Sequence, residues 1–315
     1  MTTLPHNPPG NRPADAEILQ VKRLAESIPG LPALPAVAAQ LMEAMDDPTT
    51  SAAELARLIS SDPALTARLL KLANSTYYGF PRRIGTVNLA VVVLGLETVR
   101  DLSLSVLITD CFYHPHDDLP FPFDKFWSHS LTSAVAARLI FRLCGIPNPG
   151  EGFVAGLVHD IGKLFLGRYY PQKYAAALRR TEEGVSLLEA EREVFGAAHP
   201  LAGAWLLDSW NLPAWLVEAV RDHHAASGDA GRQALAISFA DLLVRRAHFD
   251  GGGPRHDREA SPEMVGALGL KKDVYGVPDY GAYLEKLRRE LQRSEDMTEA
   301  FRRDSAPSRD PFYRA

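Results

Sequence analysis

Histidines and carboxylates recur within apolar, helix-forming segments in the second half of the chain. A histidine in such a segment costs free energy unless its ring is hydrogen-bonded or bound to a metal ion. Imidazoles and carboxylates from separate helices can converge in the core of a bundle and bind divalent metal ions there. We therefore predict a site for one or two divalent ions. The candidate ligands are His129, His159, Asp160, His199, His223, His224 and Asp241.

The adjacent pair His159 and Asp160 is the centre of this hypothesis. The pair stands in HDIGK, inside the apolar segment EGFVAGLVHDIGKLFLGRYY, whose periodicity predicts one long helix. Asp160 has two carboxylate oxygens and could bridge two ions, and two ions about 3.5–4 Å apart can activate water and stabilise a phosphoryl transition state. Lys163, one turn later on the same helix, could hold a phosphate oxygen. If the site is catalytic, Asp160 and Lys163 are the predicted catalytic residues.

Each candidate ligand also has a purely structural interpretation. A single histidine in an apolar helix is more often a hydrogen-bonded core residue. His223 and His224 at a helix C-terminus would complement the helix dipole. His199 precedes a proline and could cap its helix, and Asp241 could lie one turn from solvent. The joint occurrence of all these residues, in this order, favours the metal site.

The composition is that of an ordinary globular protein. The 315 residues are 46% hydrophobic and 23% charged, and the net charge of −5 does not favour general binding to nucleic acid. No run of about 18 apolar residues is present, and MTTLPHNPPGNRPADAE lacks the layout of a signal peptide. Cys111 and Cys144 suggest neither a disulfide scaffold nor a cysteine-rich metal site. We predict a soluble, cytoplasmic protein.

The elements that must position the candidate ligands are helices. Almost every segment from Glu17 onward has helical periodicity, and none has convincing strand alternation. We predict an all-α fold with two lobes. The predicted divisions are a disordered terminus over 1–15, an N-terminal helical lobe over 16–120, a metal-binding helical lobe over 121–250, and a polar loop, C-terminal helix and tail over 251–315.

Capping signals place two helix starts in the first lobe. Thr50 or Ser51 predicts an N-terminal cap, with Glu54 close behind it. Asp62 followed by Pro63 predicts a second capped helix.

A third signal, at Leu94-Gly95, predicts that two helices of this lobe meet there. The arrangement could be the turn of a DNA-binding helix-turn-helix. The second helix has only Arg100 as a basic residue, whereas a recognition helix needs polar and basic side chains. Core packing is therefore favoured, and DNA is not an expected partner.

The first lobe resembles the HDOD domain, a hydrolase-related output domain of bacterial signalling proteins. The resemblance covers roughly residues 24–235 and is most specific in SDPALTARLLKLANSTYYG. In the second lobe, the order His129, His159-Asp160, Asp241 resembles the HD metal-dependent phosphohydrolases. HDIGK and HPLAGAWLL are similar to the HD-GYP branch, which hydrolyses cyclic di-GMP with two or three metal ions, often iron. The resemblance implies an HD-domain-like second lobe.

Two departures from the HD-GYP pattern limit what the resemblance implies. AASGDAGRQA follows His223 and His224, where that branch has a glutamate and then a GYP segment. Lys125 stands one turn before His129, where that branch has a further metal-binding glutamate. The resemblance therefore implies a site for one or two ions rather than three.

The resemblance implies a role in bacterial signal transduction, because many HDOD domains are regulatory or interaction modules. We predict an output module with a divalent-metal site that acts by binding a ligand or a protein. The alternative is a metal-dependent phosphodiesterase or phosphohydrolase acting on a nucleotide or cyclic dinucleotide. The resemblance favours iron or manganese, and the ligand chemistry also allows zinc or nickel. Expected partners are a signalling protein and a nucleotide or phosphate ligand, and no membrane is expected.

Overall fold

The computed structural model describes residues 15–28, 36–46, 50–112, 119–225, 230–247 and 259–294. Sixteen α-helices lie within these ranges. They are α1 (Asp15–Glu26), α2 (Ala36–Asp46), α3 (Ala52–Ser60), α4 (Pro63–Ala73), α5 (Val87–Leu94), α6 (Leu96–Phe112), α7 (Phe123–Leu143), α8 (Pro149–Val158), α9 (Ile161–Tyr169), α10 (Pro171–Glu182), α11 (Leu187–Phe195), α12 (His199–Ser209), α13 (Ala214–Asp222), α14 (Arg232–Ala247), α15 (Pro262–Leu268) and α16 (Tyr280–Arg293).

The prediction of an all-α fold is confirmed. The described residues form no β-strand, and Lys272 and Pro278 make one isolated bridge. Across the same ranges, no helix combines the length and the apolar character that crossing a bilayer would require. The predicted disordered terminus, except Asp15 in α1, lies outside the described residues, as do residues 251–258 of the predicted polar loop and the tail over 295–315.

The capping signals of the first lobe are confirmed. Ser51 caps α3 in a capping box, because its side chain accepts from the Glu54 N–H and the Glu54 carboxylate accepts from the Ser51 N–H. The Asp62 carboxylate accepts from two backbone N–H groups at the start of α4. Helices α5 and α6 meet at Gly95, whose φ of 89° suits a residue without a Cβ.

Helix α7 lies at the centre of the region that carries the candidate ligands. It packs most extensively on α8 and α14, and α16 packs along it as well. Helix α6 packs against α8 and is buried throughout residues 101–109, as core packing of this helix requires. The hydrophobic core therefore continues without interruption from the helices before residue 120 into those after it.

The structure corrects three features of the predicted helix pattern. The segment predicted as one helix over EGFVAGLVHDIGKLFLGRYY is two helices, α8 and α9, with the break at His159 and Asp160. Helices α10 and α11, between this segment and His199, were not predicted. Helix α15, capped by the Ser261 side chain, is a second helix in the range 251–315, where a polar loop, one helix and a tail were predicted.

Candidate metal centre

Five segments of the fold bring the seven candidate ligands together. His129 lies on α7, His159 and Asp160 lie at the break between α8 and α9, and His199 is the first residue of α12. His223 and His224 directly follow α13, and Asp241 lies on α14. His224 is half-buried, and the other six are buried.

Gly162, in the first turn of α9, allows this helix to approach α12 closely. A Cβ added to Gly162 would lie 2.0 Å from the His199 carbonyl oxygen and 2.7 Å from the Gly203 nitrogen. Helices α9 and α12 therefore touch backbone to backbone, a distance that only glycine permits. This contact places Asp160, just before α9, beside His199 at the start of α12.

Asp160 divides the candidate ligands into two groups, because each of its oxygens faces a different set of histidines. Its Oδ1 lies 3.2 Å from His199 Nε2 and 3.6 Å from His223 Nε2. Its Oδ2 lies 3.4 Å from His159 Nε2 and 3.7 Å from His129 Nε2. We call the first set, completed by His224, the open half. The second set, completed by Asp241, is the paired half.

Hydrogen bonds from the outer ring nitrogens orient three of the histidines. His159 Nδ1 lies 2.9 Å from the Gly156 carbonyl oxygen, and His223 Nδ1 lies 2.6 Å from the Val220 carbonyl oxygen. A carbonyl only accepts, so both Nδ1 atoms carry the proton and donate. His199 Nδ1 donates in the same way to the Glu191 carboxylate, at 2.7 Å. Each ring therefore directs its Nε2 atom into the site, as in metal-binding histidines.

The three inward nitrogens are buried without a hydrogen-bond partner. Among the described residues, none donates to or accepts from Nε2 of His159, His199 or His223, and the same is true of Asp160 Oδ1. Orphaned polar atoms are rare in protein interiors and need an explanation. A divalent cation beside Asp160 Oδ1, His199 Nε2 and His223 Nε2 would satisfy these three atoms together, so the residues present fit a metal ion.

Two imidazoles of the open half, those of His223 and His224, are poor bases. Burial lowers the pKa of His223 to about 4, with the neighbouring His159 and His199 adding to the effect. Burial likewise holds the pKa of His224 well below its usual value, and His223 is the next largest cause. Both rings are neutral at pH 7, which is the form that binds metals.

The carboxylates of the centre are ionised despite burial. Burial opposes the charge on Asp160, but His159 and Lys163 hold its pKa well below the usual value. Burial also opposes the charge on Asp241, and Arg245 is the largest influence that lowers its pKa. For His159, burial is outweighed by Asp160 and then Asp241, which raise its pKa to about 9. A cation at His159 Nε2, either a proton or a metal ion, is therefore favoured.

Lys163, the second predicted catalytic residue, contacts Asp160 directly. Its Nζ lies 2.6 Å from Asp160 Oδ2. The prediction that Lys163 and His159 share one long helix is wrong, because the helix breaks before α9. Lys163 still lies one turn after Asp160, and its own backbone N–H donates to the Asp160 carbonyl at 2.9 Å.

The structure adds two residues that the sequence analysis did not identify. Arg245 contacts both carboxylates of the centre, with its Nε 2.8 Å from Asp241 Oδ1 and an Nη 3.5 Å from Asp160 Oδ2. It follows Asp241 by four residues on α14, a spacing that could have indicated the pair. Glu191 lies on the buried face of α11 with Ala190 and Phe195, and a glutamate on an apolar helix face could have indicated its role.

The fold and the geometry of the centre define a class of protein, the helical proteins in which histidines and aspartates from several helices converge in the core. The sequence profile of the HDOD domain matches residues 31–226. The chain belongs to the HDOD family.

Two solved structures share this fold over almost the whole chain. An HDOD domain protein of unknown function from Geobacter sulfurreducens has a TM-score of 0.75 and 24% identity, and covers 92% of this chain and 99% of its own. A protein from Shewanella amazonensis SB2B, assigned by its name to the phosphohydrolases, has a TM-score of 0.71 and 24% identity over 90% of this chain and 98% of its own. At this identity the likeness establishes the fold alone.

A curated relative is longer than this chain. It is an uncharacterized protein of Treponema pallidum (strain Nichols), 25% identical over 244 residues. The match covers 73% of this chain and 45% of the relative, so the chain spans less than half the length of that protein.

Proposed function

We propose that this chain is a metal-binding output protein of bacterial signal transduction, which acts in the cytoplasm by binding a ligand or a partner protein. The observation that carries the metal site is the set of orphaned atoms in the open half. His199 Nε2, His223 Nε2 and Asp160 Oδ1 are buried, face one another and have no hydrogen-bond partner among the described residues. Leaving three such atoms unsatisfied costs several kcal/mol, roughly 1–3 kcal/mol each, unless a cation binds them.

The residues of the centre would hold a divalent ion of the first transition series. Three imidazoles and one carboxylate in the open half suit iron, manganese, zinc or nickel, and the resemblance to the HD-GYP phosphohydrolases favours iron or manganese. A bound ion supplies Lewis-acid character and positive charge. The chain's own groups orient the ligands of that ion. His199 donates a hydrogen bond to the Glu191 carboxylate, and His223 donates one to the Val220 carbonyl.

An anionic ligand such as a nucleotide or a phosphate would find further cations at the same place. Lys163 and Arg245 are 12% and 27% exposed, so both lie near the surface of the centre rather than at its base. Both side chains donate hydrogen bonds to carboxylates of the centre and carry further N–H groups that can face an anion. Binding there would couple ligand occupancy to the packing of α9 and α14, and this coupling could be read by a signalling partner.

The second candidate is a metal-dependent phosphohydrolase. The adjacency of Asp160 and Lys163 favours it, because a lysine beside a metal-binding carboxylate can stabilise charge on a phosphoryl group. This candidate predicts turnover of a phosphoester, and the regulatory proposal predicts binding without turnover.

The experiment that tests the metal site is elemental mass spectrometry on tag-free protein from cells grown with iron and manganese. We expect near-stoichiometric metal in the wild type and its loss in Asp160→Asn and His223→Ala. Asp208→Asn, at an exposed carboxylate on α12, is the matched control and should retain the metal. A wild type without metal, both as purified and after incubation with Mn²⁺ or Fe²⁺, would overturn the proposal.

A screen of cyclic dinucleotides and simple phosphoesters with the metal-loaded protein separates the two candidates. Binding without product supports the regulatory role. Product formation that Lys163→Met abolishes while the metal content stays unchanged would support the hydrolase instead.

A further inference from the structure

We propose that the metal centre of this chain holds one divalent ion rather than two, because Arg245, assisted by Lys163, takes the place of the second ion. The ion occupies the open half, with Asp160, His199, His223 and His224. This inference rests on the proposed metal-binding function and specifies how the centre is occupied.

Arg245 makes contacts in the paired half that a second ion would make. Its Nε lies 2.8 Å and 2.9 Å from the two oxygens of Asp241. One of its Nη atoms lies 3.5 Å from Asp160 Oδ2 and 3.4 Å from His129 Nε2. A single guanidinium thus reaches both carboxylates and one of the two histidines of this half.

Lys163 adds a second positive charge on the same side of Asp160. Its Nζ lies 2.6 Å from Oδ2, the oxygen that faces His129 and His159. Oδ2 therefore contacts an ammonium and a guanidinium, whereas Oδ1 has no hydrogen-bond partner within the described ranges. The two oxygens of one carboxylate are in different chemical states, and only Oδ1 remains available to a metal ion.

The charges of the centre favour a single ion. The buried carboxylates are Asp160, Asp241 and Glu191, which contacts His199 directly. The side-chain cations that contact them are Lys163 and Arg245. With the histidine rings counted as neutral, the difference is one negative charge, so one divalent ion brings the centre to a single positive charge and a second ion would leave three. A proton on His159 would add one positive charge to each total. Uncompensated charge in a buried site is strongly unfavourable.

The position of Arg245 explains how the guanidinium is held there. Arg245 follows Asp241 by four residues on α14, so the helix itself directs the two side chains toward each other. The Arg245 side chain is 27% exposed and the Asp241 side chain 6%, so the guanidinium enters the paired half from its rim. His159 Nε2 is the one ligand atom of this half that no described group hydrogen-bonds. The protein's own cations thus occupy the paired half, although its candidate ligands His129, His159 and Asp241 are all present.

A centre with one ion and two fixed side-chain cations is suited to holding an anion. Arginine and lysine offer N–H donors to phosphate oxygens, but they do not activate a water molecule as a second metal ion can. The inference therefore supports the regulatory candidate over the hydrolase.

The test is the stoichiometry of Mn²⁺ binding, measured by titration calorimetry and by the metal content after dialysis. We expect one Mn²⁺ per chain in the wild type and two in Arg245→Met, which removes the charge and keeps the length of the side chain. Arg245→Lys retains a charge and should remain at one. Arg246→Met is the matched control, because Arg246 is next to Arg245 in the chain but pairs with Glu259. This variant should also bind one Mn²⁺.

The location of each ion is tested by removing one ligand from each half. His223→Ala should remove the single ion of the wild type, and His129→Ala should leave that ion bound. In the Arg245→Met background, His129→Ala should return the stoichiometry from two to one. Electron paramagnetic resonance of the wild type loaded with Mn²⁺ should show an ion without exchange coupling to a second Mn²⁺. This measurement needs no variant.

The outcomes separate this inference from the proposed function. Two Mn²⁺ in the wild type, or an exchange-coupled Mn²⁺ pair in its resonance spectrum, would overturn the inference and leave the metal-binding function intact. One Mn²⁺ in a folded Arg245→Met would also overturn it. No Mn²⁺ in the wild type would overturn both the inference and the proposed metal-binding function. Loss of the wild-type ion in His129→Ala but not in His223→Ala would place the ion in the paired half and overturn the inference.

Discussion

Glu191 connects the candidate metal centre to the rest of the fold through His199. The side chain of Glu191 is fully buried, and one of its oxygens accepts both from His199 Nδ1, at 2.7 Å, and from the His199 backbone N–H, at 2.8 Å. Its other oxygen accepts from the Tyr174 hydroxyl at 3.1 Å. A carboxylate behind a ligating imidazole fixes the orientation of the ring and increases its basicity.

We predict that Glu191→Gln lowers the affinity for Mn²⁺ by roughly 10–100-fold, because the neutral amide weakens the bond to His199 Nδ1. Titration calorimetry measures the change. Glu189→Gln, at an exposed position on the same helix, is the control and should bind as the wild type does. Equal affinities in the two variants would show that Glu191 has no influence on the metal.

At the scale of the elements, the contact between α9 and α12 determines where Asp160 and His199 lie. Gly162 and Gly203 face each other across this contact, and a Cβ added to Gly162 would lie only 2.0 Å from the His199 carbonyl oxygen. Backbone atoms cannot move aside as a flexible side chain can. A side chain at residue 162 must therefore push the two helices apart and separate the two ligands.

Gly162→Ala should lower the free energy of unfolding by about 1–3 kcal/mol, the usual cost of overpacking, and should weaken Mn²⁺ binding as well. Urea denaturation and calorimetry measure the two effects. Gly266→Ala in α15 is the comparison, because an added Cβ there meets no atom within 4 Å. That variant should gain about 0.5–1 kcal/mol from helix propensity. A Gly162→Ala protein as stable as the wild type would contradict the close contact.

At the scale of the whole molecule, Asp101 lies where the first half of the chain meets the second. It is 4% exposed on α6 and lies against Gly150 at the start of α8. Burial raises the pKa of Asp101 to about 6, against the opposing charge of Arg100 and with small additions from Glu151 on α8 and Glu97 on α6. The other charge facing it is the guanidinium of Arg138 on α7, which also contacts Tyr78.

The raised pKa predicts how the stability of this junction depends on pH. A carboxyl group whose pKa rises from 3.8 to about 6 on folding favours the folded state when it is protonated. That contribution is present below pH 4 and is lost as the pH rises to about 6. Asp101→Asn cannot ionise, so its stability relative to the wild type should increase over this range by up to about 3 kcal/mol.

Urea denaturation at several pH values between 4 and 8 measures this difference directly. Asp208→Asn, at an exposed position on α12, is the control for the change of a carboxylate to an amide. A constant difference between Asp101→Asn and the wild type would show that the carboxyl of Asp101 does not titrate in this range.

The local features of the fold follow from the sequence because they depend on residues close together along the chain. The cap of α4 was predicted at Asp62 and that of α3 at Thr50 or Ser51, of which the structure uses Ser51, and the helical period indicated an all-α fold. The seven candidate ligands were also identified from the sequence, since a histidine or aspartate on an apolar helix face is recognisable without knowing what lies opposite. Whether they act together as a metal site stays a prediction for the experiments above.

The division of these ligands into an open half and a paired half was decided by the tertiary structure alone. It depends on the backbone contact between Gly162 and residues about forty positions further along the chain, which places Asp160 beside His199. It depends equally on Arg245. Its four-residue spacing from Asp241 is common on exposed helix faces, and only the tertiary structure brings Asp160 and His129 into contact with its guanidinium. Helical periodicity shows which face of a helix is buried, but the approach of two helices distant in sequence decides which charges meet there.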